Sequence, residues 1–343
     1  MAEASSARIF RPVWRRGRVR GRNRLRVSLR KQDFRERPAT AAARTRLAAL
    51  LEEDVVRVIS EWSAQIDVAG ISRAAAVGGN IAIAEEAAGL GGLQANLGTI
   101  IRENLAEALE EGVRIGARFA PPEIAGATSV AAESFISEQA ASYLARTSVA
   151  SAGGITATTR EGIRRVLIDG LADRLSPTDV AGEVGRLAGL TPRQATANRN
   201  FKAMLERSLV ADPADMTPAI RGTIDRRVAE YRERQLHDRG RVISETEIQD
   251  ALMEGEKEYY DAAVSEGAVS ENALKIIWMT VMDQRVCAIC APLHGKVVGY
   301  STSFSTNTGG GFEGERPPAH AACRCYLDYV LDEEGAIPET GRL

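Results

Sequence analysis

Aromatic residues make up only 5% of this chain, cysteine occurs four times and histidine three times. So few aromatics beside abundant alanine, leucine and valine disfavour a strand-rich sandwich and favour helices packed through small side chains. No run of eighteen or more apolar residues occurs, so nothing is expected to span a membrane. The basic start through Arg15 and Arg16 leads into more arginine and not into an apolar stretch, so no secretory signal is expected. A GxxxxGK[ST] phosphate loop, a GxSxG elbow and an HExxH helix are all lacking, which removes the commonest phosphate-binding, hydrolase and metalloprotease readings. No repeat of fixed period is evident.

What is present is enough for a real core and more than one structural unit: 343 residues, 44% hydrophobic and 26% charged. The net charge of −2 conceals a division. Residues 1–46 hold fifteen basic against three acidic side chains, net +12, leaving 29 basic against 43 acidic, net −14, for the rest. Such an arm is predisposed to contact a polyanion or an acidic protein surface, and more weakly as salt rises. Arg18, Arg20, Arg22, Arg24 and Arg26 recur at every second position, which in an extended chain sets them on one side at roughly 6.6 Å spacing. With Arg15 and Arg16 they are the candidate nucleic-acid or partner contacts; a solvated arm binding nothing specific is the alternative.

The pattern predicts a mainly α protein, an elongated helical body with a small C-terminal α+β lobe. Residues 1–38 read as the basic arm, 39–272 as the body, 273–331 as the lobe and 332–343 as a short tail. Leu47, Leu50, Leu51, Val55, Val58, Ile59 and Trp62 form a helical stripe, followed by a weakly patterned glycine-rich stretch. Further helices are expected at about 93–119, 128–149 and 158–174. Ser176–Pro177 and Thr191–Pro192 read as capped helix starts. A charged helix is expected to run from Ile224 to a C-cap at Gly240, with His237 in its final turn beside the negative dipole end. Ser244 and Glu247 read as a capping box for another helix carrying Ile248, Leu252 and Tyr259. Ile276 to Met282 and Tyr326 to Val330 read as strands, His294 belongs to a turn, and Ser301 to Gly314 reads as a polar loop.

All four cysteines fall between positions 287 and 325. Cys287 and Cys290 form a CxxC pair, and His320 and Cys323 an HxxC pair followed by Cys325. Two residues between ligands let a tight turn aim both side chains at one tetrahedral ion, so two such knuckles predict a structural Zn2+ site. The preferred ligands are Cys287, Cys290, His320 and Cys323. Cys325 is the substitute, because side chains two apart on a strand share a face. A pair of disulfides would call for an oxidising compartment, and a redox CxxC would open a helix in a βαβ setting. Four protein ligands leave no open coordination position, so the ion is expected to hold the lobe together and not to catalyse.

Two enzymatic readings fail on spacing. Zinc deaminases need a glutamate two residues after the histidine, and here that residue is Ala322. Ser301, Thr302 and Ser303 followed by Glu313 and Glu315 evoke ADP-ribosyltransferase elements, but too few residues separate them. No catalytic residues are assigned.

Trp278, Asp283, Arg285, Val286, Cys287, Cys290, Leu293 and Gly295, then Pro317, Pro318, His320, Cys323, Arg324 and Cys325, resemble the signature of the Mu F-like minor head proteins of tailed bacteriophages. Gly189 to Ala195 is similar to a stretch found before that domain, so the likeness covers roughly residues 160–331. Ala321 and Ala322 replace the usual proline and asparagine, which leaves the ligand spacing intact. The resemblance implies a virion head component, in the host cytoplasm during assembly, that acts in head morphogenesis near the portal. Its implied partners are portal or capsid proteins and possibly packaged DNA, met through the arm. The toxin or transferase domain that some relatives carry after this lobe is not expected after Leu331. A cellular zinc-containing nucleic-acid-binding protein and an ADP-ribosyltransferase-like enzyme are the rival classes.

Overall fold

Residues 37–125, 138–210, 215–281, 283–307 and 310–332 are described by the computed structural model. Among them helices dominate: α1 (Pro38–Ala64), α2 (Val68–Ala76), α3 (Ile81–Ala88), α4 (Leu90–Phe119), α5 (Glu138–Ala172), α6 (Pro177–Leu187), α7 (Pro192–Leu209) and α8 (Pro218–Ser265). Five short strands follow, β1 (Leu274–Met279), β2 (Val297–Gly299), β3 (Phe304–Thr306), β4 (Phe312–Gly314) and β5 (Tyr326–Leu331). The architecture is the mainly α one expected, with strands confined to the C-terminal end. No helix among the described residues is long and apolar enough to cross a membrane. The candidate arm residues Arg15, Arg16, Arg18, Arg20, Arg22, Arg24 and Arg26 lie outside the described residues.

Helix starts follow their caps. Ser176 accepts the Asp179 N–H at the head of α6, and Thr191 with Gln194 forms a reciprocal capping box at the head of α7. In α1 the stripe Leu47, Leu51, Val55, Val58, Ile59 and Trp62 is buried, and the Trp62 indole donates to the Ala88 carbonyl at 2.7 Å. The glycine-rich stretch after it holds two short helices, the second capped by Asn80, whose side chain accepts the N–H groups of Ala82 and Ile83.

Two expected breaks are absent. The helices expected at 128–149 and 158–174 are one, α5, because Ala152 and Ile155 are buried in the core and hold the helix through Gly153 and Gly154. Its expected first turns lie outside the described residues. Likewise α8 runs unbroken for 48 residues, so Gly240 is no C-cap and Ser244 and Glu247 form no capping box. A Cβ on Gly240 would stand 2.8 Å from Val56 Cγ2, so this glycine lets α1 approach α8. Glu247 instead accepts the Ser151 hydroxyl at 2.6 Å. His237 is therefore mid-helix, with Nδ1 3.2 Å from Glu52 Oε1, and the dipole argument does not apply to it.

The α4–α8 crossing is the closest kind of backbone contact. A Cβ on Gly112 would lie 2.3 Å from the Leu252 carbonyl oxygen, and one on Gly255 2.0 Å from that of Leu109. Only residues without a side chain fit there.

In the lobe an antiparallel sheet of order β2-β1-β5 pairs Ile276 with Val298 and with Tyr329. The expected polar loop is in part the hairpin β3-β4, whose Phe304 and Phe312 meet the Trp278 ring edge-on at 5.2 and 5.3 Å. One hydrophobic cluster runs from Leu47 through Leu252 to Trp278 and Leu327, so helices and strands share a core. Arg37, expected within the arm, has its side chain largely covered instead: it pairs with Glu256 at 3.2 Å and with Asp328, and donates to the Leu327 carbonyl at 3.0 Å.

Candidate metal centre

The chain leaves β1 at Met279, turns through Asp283 and delivers Cys287 and Cys290 ahead of a short 3-10 turn, Ala291–Leu293. It returns through Pro317 and Pro318 to His320 and Cys323 before entering β5. Asp283 joins the two passes. It pairs with Arg324 at 2.8 Å, accepts the Arg285 N–H at 2.9 Å, and the Arg324 contact brings its carboxyl down to about 2.

The donor atoms converge. His320 Nε2 lies 3.1 Å from Cys287 Sγ and 3.2 Å from Cys290 Sγ, and Cys290 Sγ lies 3.8 Å from Cys323 Sγ. Two groups form, Cys287–Cys290–His320 and Cys290–Cys323–Cys325, with donor atoms in each within 4.8 Å of one another and Cys290 common to both. All four cysteines are free thiols. A tetrahedral ion with Zn–S bonds of about 2.3 Å separates its sulfurs by about 3.8 Å, the spacing of Cys290 and Cys323. Cys287 Sγ accepts the Cys290 N–H at 3.3 Å, which favours a thiolate. The cavity here is ≈ 30 Å³, room for an ion but not for an organic substrate. The residues therefore fit a metal ion of the zinc class.

Electrostatics within the cluster point the same way. Hydrogen bonding to Cys290 holds the Cys323 thiol far below its ordinary value, while the same contact drives Cys290 up. Cys323, ahead of the backbone of Ala321, pushes His320 up to about 9. Burial disfavours the Cys287 thiolate, but the N–H groups of Cys290 and Ile289 outweigh it and leave that thiol lowered. Thiolate and neutral imidazole are the ligand forms, so a cation binding here would displace the protons these groups carry.

The remaining candidates are placed as follows. Cys325 Sγ–H donates to Thr280 Oγ1 at 3.6 Å. His294 sits in its turn and accepts the Thr280 N–H on Nδ1 at 3.1 Å, so that nitrogen is engaged. Ser301 donates to Glu271, Glu313 is exposed on the hairpin, and Glu315 is exposed just after it. Sequence reasoning missed Thr246, Gln249 and Thr280, which touch the knuckles from α8 and from the residue just after β1. Nothing in their own spacing marks them, because helix and strand meet them only in three dimensions.

A helical body ending in a small stranded lobe with a Cys/His cluster in its turns defines a class: an α-helical protein whose C-terminal lobe could hold a metal ion. The family described as Phage Mu protein F like protein matches residues 221–328, which span most of α8 and the cluster, and this part of the chain is Mu F-like. The upstream likeness at Gly189 to Ala195 falls outside the matched residues. No curated protein and no solved structure gives a significant match.

Proposed function

We propose that this protein is a non-enzymatic phage head-morphogenesis component whose C-terminal lobe is fastened by one structural Zn2+. The observation that carries the reading is coincidence: the Mu F-like match and the convergent thiol–imidazole cluster occupy the same residues. Cys287, Cys290, His320 and Cys323 are the proposed ligands. Cys323 is preferred because its sulfur lies at the tetrahedral spacing from Cys290, whereas Cys325 engages Thr280. The ion would supply rigidity, drawing two chain passes 30 residues apart into one unit; apparent binding energies of roughly 10–16 kcal/mol are typical of such peptide sites.

The partners in this reading are portal or capsid proteins, the location is the virion head, and the basic arm contacts packaged DNA or an acidic assembly surface. Native mass spectrometry of the intact chain tests the centre: one zinc per chain is expected, and two internal disulfides with no metal would overturn it. Complementation of a phage lacking the gene tests the role, with loss of filled heads expected from Cys290→Ala. The +12 charge of residues 1–46 favours one second reading, sequence-independent nucleic-acid binding by a cellular protein. Tight, salt-sensitive DNA binding with no incorporation into heads would select it.

A further inference from the structure

The second knuckle is held from outside the lobe. Ala322, between His320 and Cys323, has φ 53, a left-handed conformation that a residue with a side chain keeps only when its surroundings impose it. Its N–H donates to Thr246 Oγ1 at 2.9 Å, and the Thr246 hydroxyl donates to the Val242 carbonyl at 2.6 Å. With its proton committed to its own helix, the hydroxyl presents a fixed lone pair to Ala322. Three residues further along α8, the fully buried Gln249 donates from Nε2 to the Cys325 carbonyl at 2.9 Å. Residues three apart share a helix face, so one face of α8 grips the chain on both sides of Cys323. From the other direction Thr280 Oγ1 donates to the Cys290 carbonyl at 3.2 Å and fixes the first knuckle.

We propose that Thr246 and Gln249 are positioning residues of the metal centre, and that ion occupancy in turn tightens the hold of the lobe on α8. The inference rests on the metal reading above and goes beyond it by extending the site to a helix outside the ligand-bearing segment. Groups that orient ligands typically change metal affinity 10- to 100-fold when removed. Coupling between two equilibria is reciprocal, so what the helix does for the ion, the ion does for the helix.

The test uses the full chain, stripped with a chelator and titrated with Co2+, read by thiolate charge-transfer absorption and by competition with Zn2+. Thr246→Val removes the acceptor at nearly constant shape and is expected to weaken Co2+ at least tenfold; Thr246→Ser keeps the hydroxyl and stays within threefold of wild type. Equal affinity of wild type and Thr246→Val overturns the inference while leaving the metal reading intact. A wild type that takes up no metal overturns both. Amide hydrogen exchange on the wild type supplies a readout that needs no variant: metal should slow exchange at residues 242–253, and unchanged exchange there refutes the coupling.

Discussion

Replacing Arg37 with methionine should destabilise the fold by about 4 kcal/mol at pH 8 and by visibly less at pH 5.5. The guanidinium is 10% exposed and the Glu256 side chain it pairs with only 1%. Glu256 Oε1 has no hydrogen-bond partner among the described residues, so Arg37 supplies the compensation that the other oxygen receives. Burial pushes the Glu256 carboxyl up to about 7 even with Arg37 opposing it, while Glu256 and Asp328 outweigh burial and hold Arg37 above its ordinary value. The carboxylate thus bears the burial cost, and the guanidinium is what keeps that cost tolerable. Breaking a buried pair on one side costs about 3–5 kcal/mol. The guanidinium also lies 4.6 Å over the Phe119 ring and 5.1 Å over that of Tyr326. Such contacts contribute about 0.5–2 kcal/mol each, so the estimate sits within the pair range even if part of the charge relaxes. The sign of the pH effect follows from the raised carboxyl. The folded state holds this proton more tightly than the unfolded chain, so stability falls as pH rises from the ordinary carboxylate range through about 7. Without Arg37 the carboxyl rises further, and the fall extends to higher pH. Urea unfolding followed by tryptophan fluorescence, at both pH values, measures this. The double variant Arg37→Met, Glu256→Gln should recover more than half of the loss at pH 8. A double variant no more stable than the single one would refute the reasoning.

Chelation at neutral pH should loosen the two knuckles and the strands beside them while leaving most helical ellipticity, because the ion would tie the knuckles alone and the helices also pack on one another through the rest of the shared core; an unchanged near-ultraviolet spectrum after complete zinc removal would contradict this. Metal affinity should fall as pH falls, since thiolate and neutral imidazole are the binding forms, and Zn2+ competition at pH 8 and 6 checks the direction. Gly255→Val should cost about 3 kcal/mol or more, because even a Cβ would stand 2.0 Å from the Leu109 carbonyl oxygen; a melting temperature within a degree of wild type would disprove so tight a crossing. Replacing Arg18, Arg20, Arg22, Arg24 and Arg26 by alanine should flatten the salt dependence of DNA retention, with an unchanged slope as the contrary result.

The sequence was most readable where one rule acted alone. Ser176, Thr191 and the stripe from Leu47 to Trp62 announce helices through local chemistry, and the structure places them there. The spacing of Cys287, Cys290, His320 and Cys323 likewise announced a shared cluster. Gly240 misled because a glycine after a charged helix has two uses, to end it or to admit a neighbour, and only the arrival of Val56 decides between them. Ser244 and Glu247 had the spacing of a cap, yet Ser244 is buried mid-helix and Glu247 faces Ser151. The β3-β4 hairpin was illegible because strands of three residues have almost no periodicity, and its reason for folding is Trp278, far away in the chain. Arg37 carried no sign of burial, since its two carboxylates come from α8 and β5.

The two glycine crossings make a clamp. Helix α8, about 72 Å long at 1.5 Å per residue, is gripped by α1 at Gly240 and by α4 at Gly255. The grips lie about 22 Å apart along the rod. A beam fixed at two stations cannot pivot at either, so its leading portion, with α7 alongside, behaves as a cantilever. Force applied near Ile220 must carry α1 and α4 along with it, and Thr246 with the knuckle it holds, nearly two turns beyond the first grip, travels as a passenger.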